Sequence, residues 1–287
     1  MTHKTLLFEM FPPTEELRQF INFYWIAKDS DTIYRCHILP NCHSNLIINR
    51  SGMAQYHLTQ HKKYRDLSEL LKQPVAPISS FIINPHIDYN IIETQNKLDI
   101  VGVHFTALGT RFLNIRNNIL SSITPISNIH NLGELEKNIK KSTSSHESVL
   151  MLNEFFIKQL MQHEIDTYIT EQLTKLETKT NITNIQNLAN TICIGERQLQ
   201  RLFNNYIGIK PSEYCRIQRF STVLRMLFAN KKSNNCLHYV AESNGYSDLS
   251  HMVRDFKQLS GMTPGYITAS TGKVILDKHN LLMLQTD

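Results

Sequence analysis

Arg197, Gln200, Arg201 and Asn204 stand at i, i+3, i+4 and i+7, the spacing that lines four side chains along one stripe of an α-helix. Their chemistry suits the edge of a base pair. Arginine can donate a bidentate fork to guanine O6 and N7, and glutamine can pair in the same way with adenine N6 and N7. Leu199, Leu202, Phe203 and Tyr206 recur at helical spacing on the other side, so a helix starting near Glu196 has one face to bury and one to present. Taken alone, this is also the pattern of an ordinary amphipathic helix with a solvated face.

A repeat separates the two readings. Leu199, Arg201, Phe203, Gly208 and Pro211 recur 53 positions later as Met252, Arg254, Phe256, Gly261 and Pro264. A fixed offset over five chemically distinct positions implies two copies of one supersecondary unit. Shorter apolar-periodic stretches precede both copies: Ile185, Leu188 and Ala189, then Leu237, Val240 and Ala241. Short helix, tight turn and second helix make the helix-turn-helix layout, whose second helix can enter a major groove. In the second copy Asp248 is placed to cap its helix. Ser250, His251 and Arg254 face outward and Met252, Phe256 and Leu259 inward. Leu249 and Val253 lie near the outer face, where they either touch thymine methyl groups or widen the buried face; the second option is the favoured one.

Charge follows the repeat. The chain has 30 Lys+Arg against 25 Asp+Glu and a formal charge of +5. Residues 1–180 hold 18 of each sign, residues 181–270 hold 10 basic against 5 acidic, and residues 271–287 hold 2 of each. A basic excess confined to the repeat is what phosphate contacts require.

Other chemistry is sparse. Cys36-His37 and Cys42-His43 place four soft-metal donors within eight residues, but the spacing matches no common structural zinc motif, and neighbours on a strand point to opposite faces. A metal- or redox-responsive sensor built on these four residues is the competing reading. His57 and His61 are four apart, with Leu58 where a zincin helix carries Glu. His86 and His104 read as strand residues with local partners. The chain lacks Gly-x-Ser-x-Gly and a phosphate-binding glycine loop, and neither an enzymatic role nor a cofactor is expected.

The elements that must position these residues fall into three parts. Ile33–Leu39, Leu46–Ile48, Met53–Leu58, Ile78–Ile83, Ile87–Ile92 and Leu98–Phe105 are short Ile-, Val-, Tyr- and Phe-rich runs bounded by turn formers, which predicts strands in a sandwich or barrel. Leu17, Phe20, Ile21 and Tyr24 have helical spacing and predict one helix ahead of them. From Ser142 to Lys175 the period is helical, with Val149, Leu152, Phe156 and Leu160 on one face, broadened by Met151 and Phe155. A face that wide predicts either a second surface within the chain or another protomer; of the two, a homodimer contact at Phe156 is the favoured one. The polar stretch 178–181 reads as a boundary. No apolar run of about 18 residues predicts a membrane span. An odd number of cysteines, 5, and an N-terminus unlike a signal peptide fit a reducing cytoplasm.

The segment from about Gln186 to Ser270 resembles the DNA-binding domain of AraC/XylS-type bacterial transcription regulators. The resemblance rests on Glu196-Arg-Gln-Leu-Gln-Arg-Leu-Phe203 with Gly208-Ile-Lys-Pro211, on Val240-Ala-Glu-Ser-Asn-Gly-Tyr246, and on Asp248-Leu-Ser-His-Met-Val-Arg-Asp-Phe256 with Gly261-Met-Thr-Pro264. It implies base contacts from Arg197, Gln200 and Arg201 in the first unit and from Leu249, Ser250, His251, Val253 and Arg254 in the second. It also implies a linker helix from Pro211 to about Asn230. The family's usual first-turn glycine and N-cap serine are here Cys193 and Gly195, so a turn shifted toward Gly195 is expected, because a non-glycine residue at positive φ is strained. Tyr24-Trp25, Ile38-Leu-Pro-Asn41, Leu46-Ile-Ile48 and Val101-Gly-Val-His-Phe105 resemble the cupin-like sensory domain of one AraC-type subgroup.

The fold class expected is therefore α+β: a β-rich cupin-like effector or oligomerisation domain over 1–141, a helical linker region over 142–180, an all-α tandem helix-turn-helix domain over 181–272, and a C-terminal tail over 273–287. The expected partners are double-stranded DNA, RNA polymerase, a small effector and a second copy of the chain, for a cytoplasmic activator.

Overall fold

The computed structural model describes residues 7–29, 34–52, 54–58, 79–94, 98–109, 123–129, 131–162, 166–178, 184–229, 237–269, 274–276 and 282–285. The N-terminal part is built from antiparallel strands β1 (Leu7–Phe11), β2 (Ile21–Asp29), β3 (Tyr34–Ile38), β4 (Asn45–Asn49), β5 (Ala54–Leu58), β6 (Phe81–Ile83), β7 (Asn90–Thr94), β8 (Leu98–Phe105) and β9 (Ile123–Pro125). With two strands from the far end of the chain, β10 (Val274–Leu276) and β11 (Leu282–Gln285), they form a six-stranded sheet ordered β1-β2-β8-β4-β6-β9 and a five-stranded sheet ordered β10-β11-β3-β7-β5. The residues expected as a C-terminal tail thus include β11, which pairs with β3 through Met283↔Ile38 and Leu284↔His37. An unpaired strand edge exposes a row of N–H and C=O groups that a short apolar segment can satisfy.

The helix expected over Leu17–Tyr24 is absent: Leu17 ends a single tight turn, Glu15–Leu17, and Ile21 begins β2. The run Ile-Asn-Phe-Tyr-Trp-Ile-Ala is buried on both faces. Phe23, Trp25 and Ala27 enter the core between the sheets, while Ile21, Tyr24 and Ile26 join a second core under the helices. A strand with two covered faces shows no polar alternation, and its apolar residues can then fall at helical spacing by chance. A tight packing constraint in this region is at Gly102. It lies opposite Trp25 across the β2–β8 pair, and a Cβ there would sit 1.9 Å from the indole.

Three helices cover the six-stranded sheet: α1 (Leu132–Lys141), α2 (Ser145–Met161) and α3 (Thr167–Thr178). The helical pattern read from 142 to 175 is therefore two helices, and α1 lies at the end of the 1–141 segment assigned to the β-rich domain. Ser144 caps α2 by accepting from the Glu147 amide at 3.1 Å. Asn153 Oδ1 accepts from the Tyr24 hydroxyl and the Thr14 amide, which fixes α2 on the sheet. Phe156 is fully buried, edge-on to Phe105 with ring centroids 5.5 Å apart. It cannot be the dimer contact expected of it, because the wide stripe is used within the chain.

The remaining helices are α4 (Ile185–Ile192), α5 (Glu196–Leu202), α6 (Pro211–Ala229), α7 (Leu237–Ser243), α8 (Leu249–Ser260) and α9 (Pro264–Ala269). Among the described residues, no helix is long and apolar enough to cross a membrane.

His86 bridges to Asn41 between loops of the two sheets and is buried, its Nδ1 2.7 Å from the Asn84 carbonyl. Burial pushes its imidazole down to about 4, against backbone carbonyls that favour the proton. The unfolded chain therefore binds this proton more readily than the folded one. The stability it confers is complete above the ordinary histidine value of about 6.5 and is lost as pH falls from there toward about 4. Denaturant titration should show the wild type losing on the order of 3 kcal/mol over that window. His86→Gln should be less stable at neutral pH but flatter over the window; an equal slope in both proteins would contradict this assignment.

Candidate nucleic-acid interface

Both helix-turn-helix units close their turns with the same pair of hydrogen bonds. In the first, the Ile194 amide reaches the Ala189 carbonyl at 3.3 Å and the Cys193 amide the Asn190 carbonyl at 3.4 Å. In the second, Tyr246 reaches Ala241 at 3.0 Å and Gly245 reaches Glu242 at 3.1 Å. This is the helix-terminating pattern that needs a left-handed residue after the last turn. Cys193 supplies it at φ 54° and Gly245 at φ 80°. The turn has not shifted toward Gly195, which has φ −72° and serves as the N-cap of α5; the two closing bonds hold Cys193 in a conformation that its side chain disfavours. Gly245 follows Cys193 by 52 positions, whereas the caps Gly195 and Asp248 are 53 apart. The second turn absorbs one extra residue.

Helix α5 presents the predicted stripe. Leu199, Leu202 and Phe203 are buried, while Arg197, Gln200, Arg201 and Asn204 are exposed. From Phe203 to Ile207 the helix widens into a π turn closed by the Gly208 amide on the Phe203 carbonyl at 2.9 Å. Asn204 nevertheless shares an open cleft of about 760 Å³ with Arg197, Gln200, Arg201 and, across it, Lys210 at the start of α6. Pro211 opens α6, where its missing N–H leaves no intrahelical bond unmade.

In α8 the Asp248 carboxylate accepts from the His251 amide at 2.7 Å. That bond is the main reason its carboxyl is held below the usual range, with help from the Ser247 hydroxyl. Ser250 and Arg254 are exposed, and His251 and Val253 are half-buried. The His251 ring stands edge-on to Tyr246, and its Nδ1 lies 3.2 Å from the Ser247 hydroxyl. Leu249 packs against the core of the second unit. The two recognition helices thus differ: α5 offers a forked-donor surface, and α8 a smaller polar one.

Of the four soft-metal candidates, the side chains of Cys36 and His37 lie outside the described residues. Cys42 and His43 both adjoin Glu177. The Cys42 thiol is buried and held well above its usual range by that burial, with the negative charge of Glu177 adding to it. His43 Nε2 is 3.0 Å from Glu177. Among the described residues no group of three or more His, Cys, Asp or Glu could hold a metal ion.

Sequence reading missed what fixes the second unit. Arg216 on α6 donates from Nε to Asp255 Oδ1 at 2.6 Å, and the Tyr246 hydroxyl donates to Asp255 Oδ2 at 3.0 Å. Arg219 reaches the Gly245 carbonyl at 3.1 Å and lies over the Tyr246 ring, 5.2 Å from its centroid. The one available signal was Asp255, an acidic residue on the apolar side of an amphipathic helix.

Two helix-turn-helix units on one long helix, with a two-sheet domain ahead of them, define a chain built to present paired recognition helices. Residues 188–269 match the family described as "Helix-turn-helix domain", and residues 9–118 match the "Domain of unknown function (DUF6597)". Residues 188–269 thus hold a helix-turn-helix domain behind a β-rich domain. It is 30% identical over 77 residues to the HTH-type transcriptional regulator ArgR of Pseudomonas aeruginosa, a match covering 27% of this chain and 22% of that protein. It therefore spans about a fifth of the length of that curated relative. Two crystal structures of ToxT from Vibrio cholerae align over 91% and 92% of this chain and 96% and 98% of theirs, at 14% and 13% identity with TM-scores of 0.43 and 0.42.

Asp255 is 7% exposed at its side chain. Asp255→Ala would strand the Tyr246 hydroxyl and leave Arg216 with only Gln258, and should lower stability by about 2–3 kcal/mol. Chemical denaturation measures this; a loss under about half a kcal/mol would show that the network does not hold α8 in place.

Proposed function

We propose that this protein is a sequence-specific, double-stranded DNA-binding transcription regulator, and that Arg197, Gln200, Arg201 and Asn204, with Ser250, His251 and Arg254, touch the bases. The observation that carries the reading is the exposed α5 stripe, repeated in register by α8 on the same supporting helix. Val253 contributes an apolar contact, and Leu249 acts mainly in packing. The division of labour follows the sequence: 1–141 for effector binding or oligomerisation, 142–180 as the helical connection, 181–272 for DNA. The motifs shared with AraC-type regulators favour activation in the cytoplasm through RNA polymerase, in response to a small effector.

A homodimer fits the structure through a surface other than the one around Phe156. Leu150 and Met161 on α2 are 62% and 82% exposed. In an antiparallel self-pairing Leu150 would meet Met161 of the partner subunit, and Glu154 would come beside Lys158 of the partner subunit. Such pairing raises apparent affinity through effective concentration without a new base contact.

Selection of bound duplexes from a random library tests the main reading directly. Arg201→Ala should weaken binding to the selected site by about 1–3 kcal/mol and leave nonspecific binding less affected. Base substitutions in the half-site read by α8 should weaken binding less than those in the half-site read by α5. Unchanged site preference in Arg201→Ala, or equal losses in both halves, would reject the assignments. Met161→Glu should convert a dimer to a folded monomer in sedimentation; a wild-type chain already monomeric at micromolar concentration would reject the dimer.

A further inference from the structure

Glu177, on the last turn of α3, ties the helical connection that leads into the DNA-binding half to the β-domain. Its Oε1 and Oε2 each lie 3.0 Å from Nε2 of His43, which is on the loop between β3 and β4. Oε1 also accepts from the Ala107 amide, just past the end of β8, at 2.8 Å. These bonds span 134 and 70 positions of sequence. The His43 side chain is 8% exposed and that of Glu177 20%, so water competes weakly for either.

Both ends of this contact lead somewhere. Behind His43, the buried His104 of β8 stands edge-on at 5.2 Å, bonded to Asn45 at 2.7 Å and stacked at 4.8 Å on Phe23, a residue of the core between the sheets. Beyond Glu177 lies α6. The phenol of Tyr214 is held protonated by its burial, with the negative charge of Glu177 adding to it. Two apolar contacts accompany the tie. Leu39 packs in the core of the second helix-turn-helix unit, and a Cβ on Gly261 at the end of α8 would meet the Tyr89 ring at 2.7 Å.

We propose that Glu177 is a positioning residue for DNA reading: its contacts with His43 and Ala107 fix the orientation of the tandem helix-turn-helix domain to the strand end that carries His104 and Ala107. The inference rests on the DNA-binding reading above and deepens it by naming where the β-domain acts. The base-reading residues Arg197, Gln200, Arg201, Ser250 and Arg254 are exposed while this contact is made, so the closed arrangement is the one able to meet a duplex. Opening it adds orientational freedom that binding must remove again. Movement of the strand end around His104 therefore has a polar route to DNA affinity through Glu177.

The test uses the full-length chain as wild type, His43→Leu, Glu177→Ala, the double variant, and His43→Gln, whose amide can still donate to the carboxylate. Specific affinity for a duplex selected by the wild type should fall about tenfold in each disruptive single variant. It should fall no further in the double variant and stay near wild type in His43→Gln. Amide exchange in the free protein should quicken at Ala107 and through α3 in the disruptive variants, while β4 and the middle of β8 stay protected. Additive losses, unchanged affinity despite faster exchange, or a His43→Gln variant as weak as His43→Leu would overturn the positioning role. A wild type that selects no duplex would instead overturn the DNA-binding reading, and with it the DNA half of this proposal.

Discussion

One helix holds the two reading units in fixed relation. Helix α6 is 19 residues long, about 28 Å at the helical rise, close to the roughly 34 Å of one DNA turn. Its first half belongs to the first unit: Tyr214, Cys215 and Ile217 share a core with Leu188, Ile192, Leu199 and Phe203. Its second half belongs to the other: Phe220, Val223, Leu224 and Leu227 pack with Val240, Met252, Phe256 and Leu259. Phe203 meets Tyr214 edge-on at 5.2 Å and Phe220 meets Phe256 at 4.6 Å. Each recognition helix is therefore set against one end of a single rod, and the Arg216–Asp255 pair fixes the rotation of α8 about it.

The β-domain depends on the same economy of surfaces. Strands β2 and β8 bury both faces, one toward the other sheet and one toward α1–α3 and the first helix-turn-helix unit. One continuous core runs from the six-stranded sheet through Phe156 to Leu199 and Ile217. Coupling between the β-domain and the DNA-binding half thus has a packed apolar route as well as the polar tie at Glu177.

What the sequence made legible was local. The 53-position repeat, the α5 stripe, the Asp248 cap and the start of α6 at Pro211 all rest on short-range spacing, and the structure places each of them as read. The misreadings were also physical. The strand at Ile21–Asp29 lacks alternation because it is covered on both sides. Helix α1, Leu132–Lys141, is short and follows a long strand-like region. Cys193 is left-handed because two backbone bonds impose it, which composition alone does not reveal. Two of the long-range contacts, His43 with Glu177 and β11 beside β3, have no signature in a single sequence; of the Arg216–Asp255 pair only the acid on an apolar helix face shows, and not its partner.

The account turns on two recognition helices meeting one face of a duplex through a common support. Hydroxyl-radical footprinting of the full-length protein on a selected site measures that geometry directly. Two protected windows about 10 base pairs apart on one face are predicted for each protomer, with the window assigned to α5 lost in Arg201→Ala. A single window, or two whose spacing departs from a helical turn, would contradict a tandem reader built on α6.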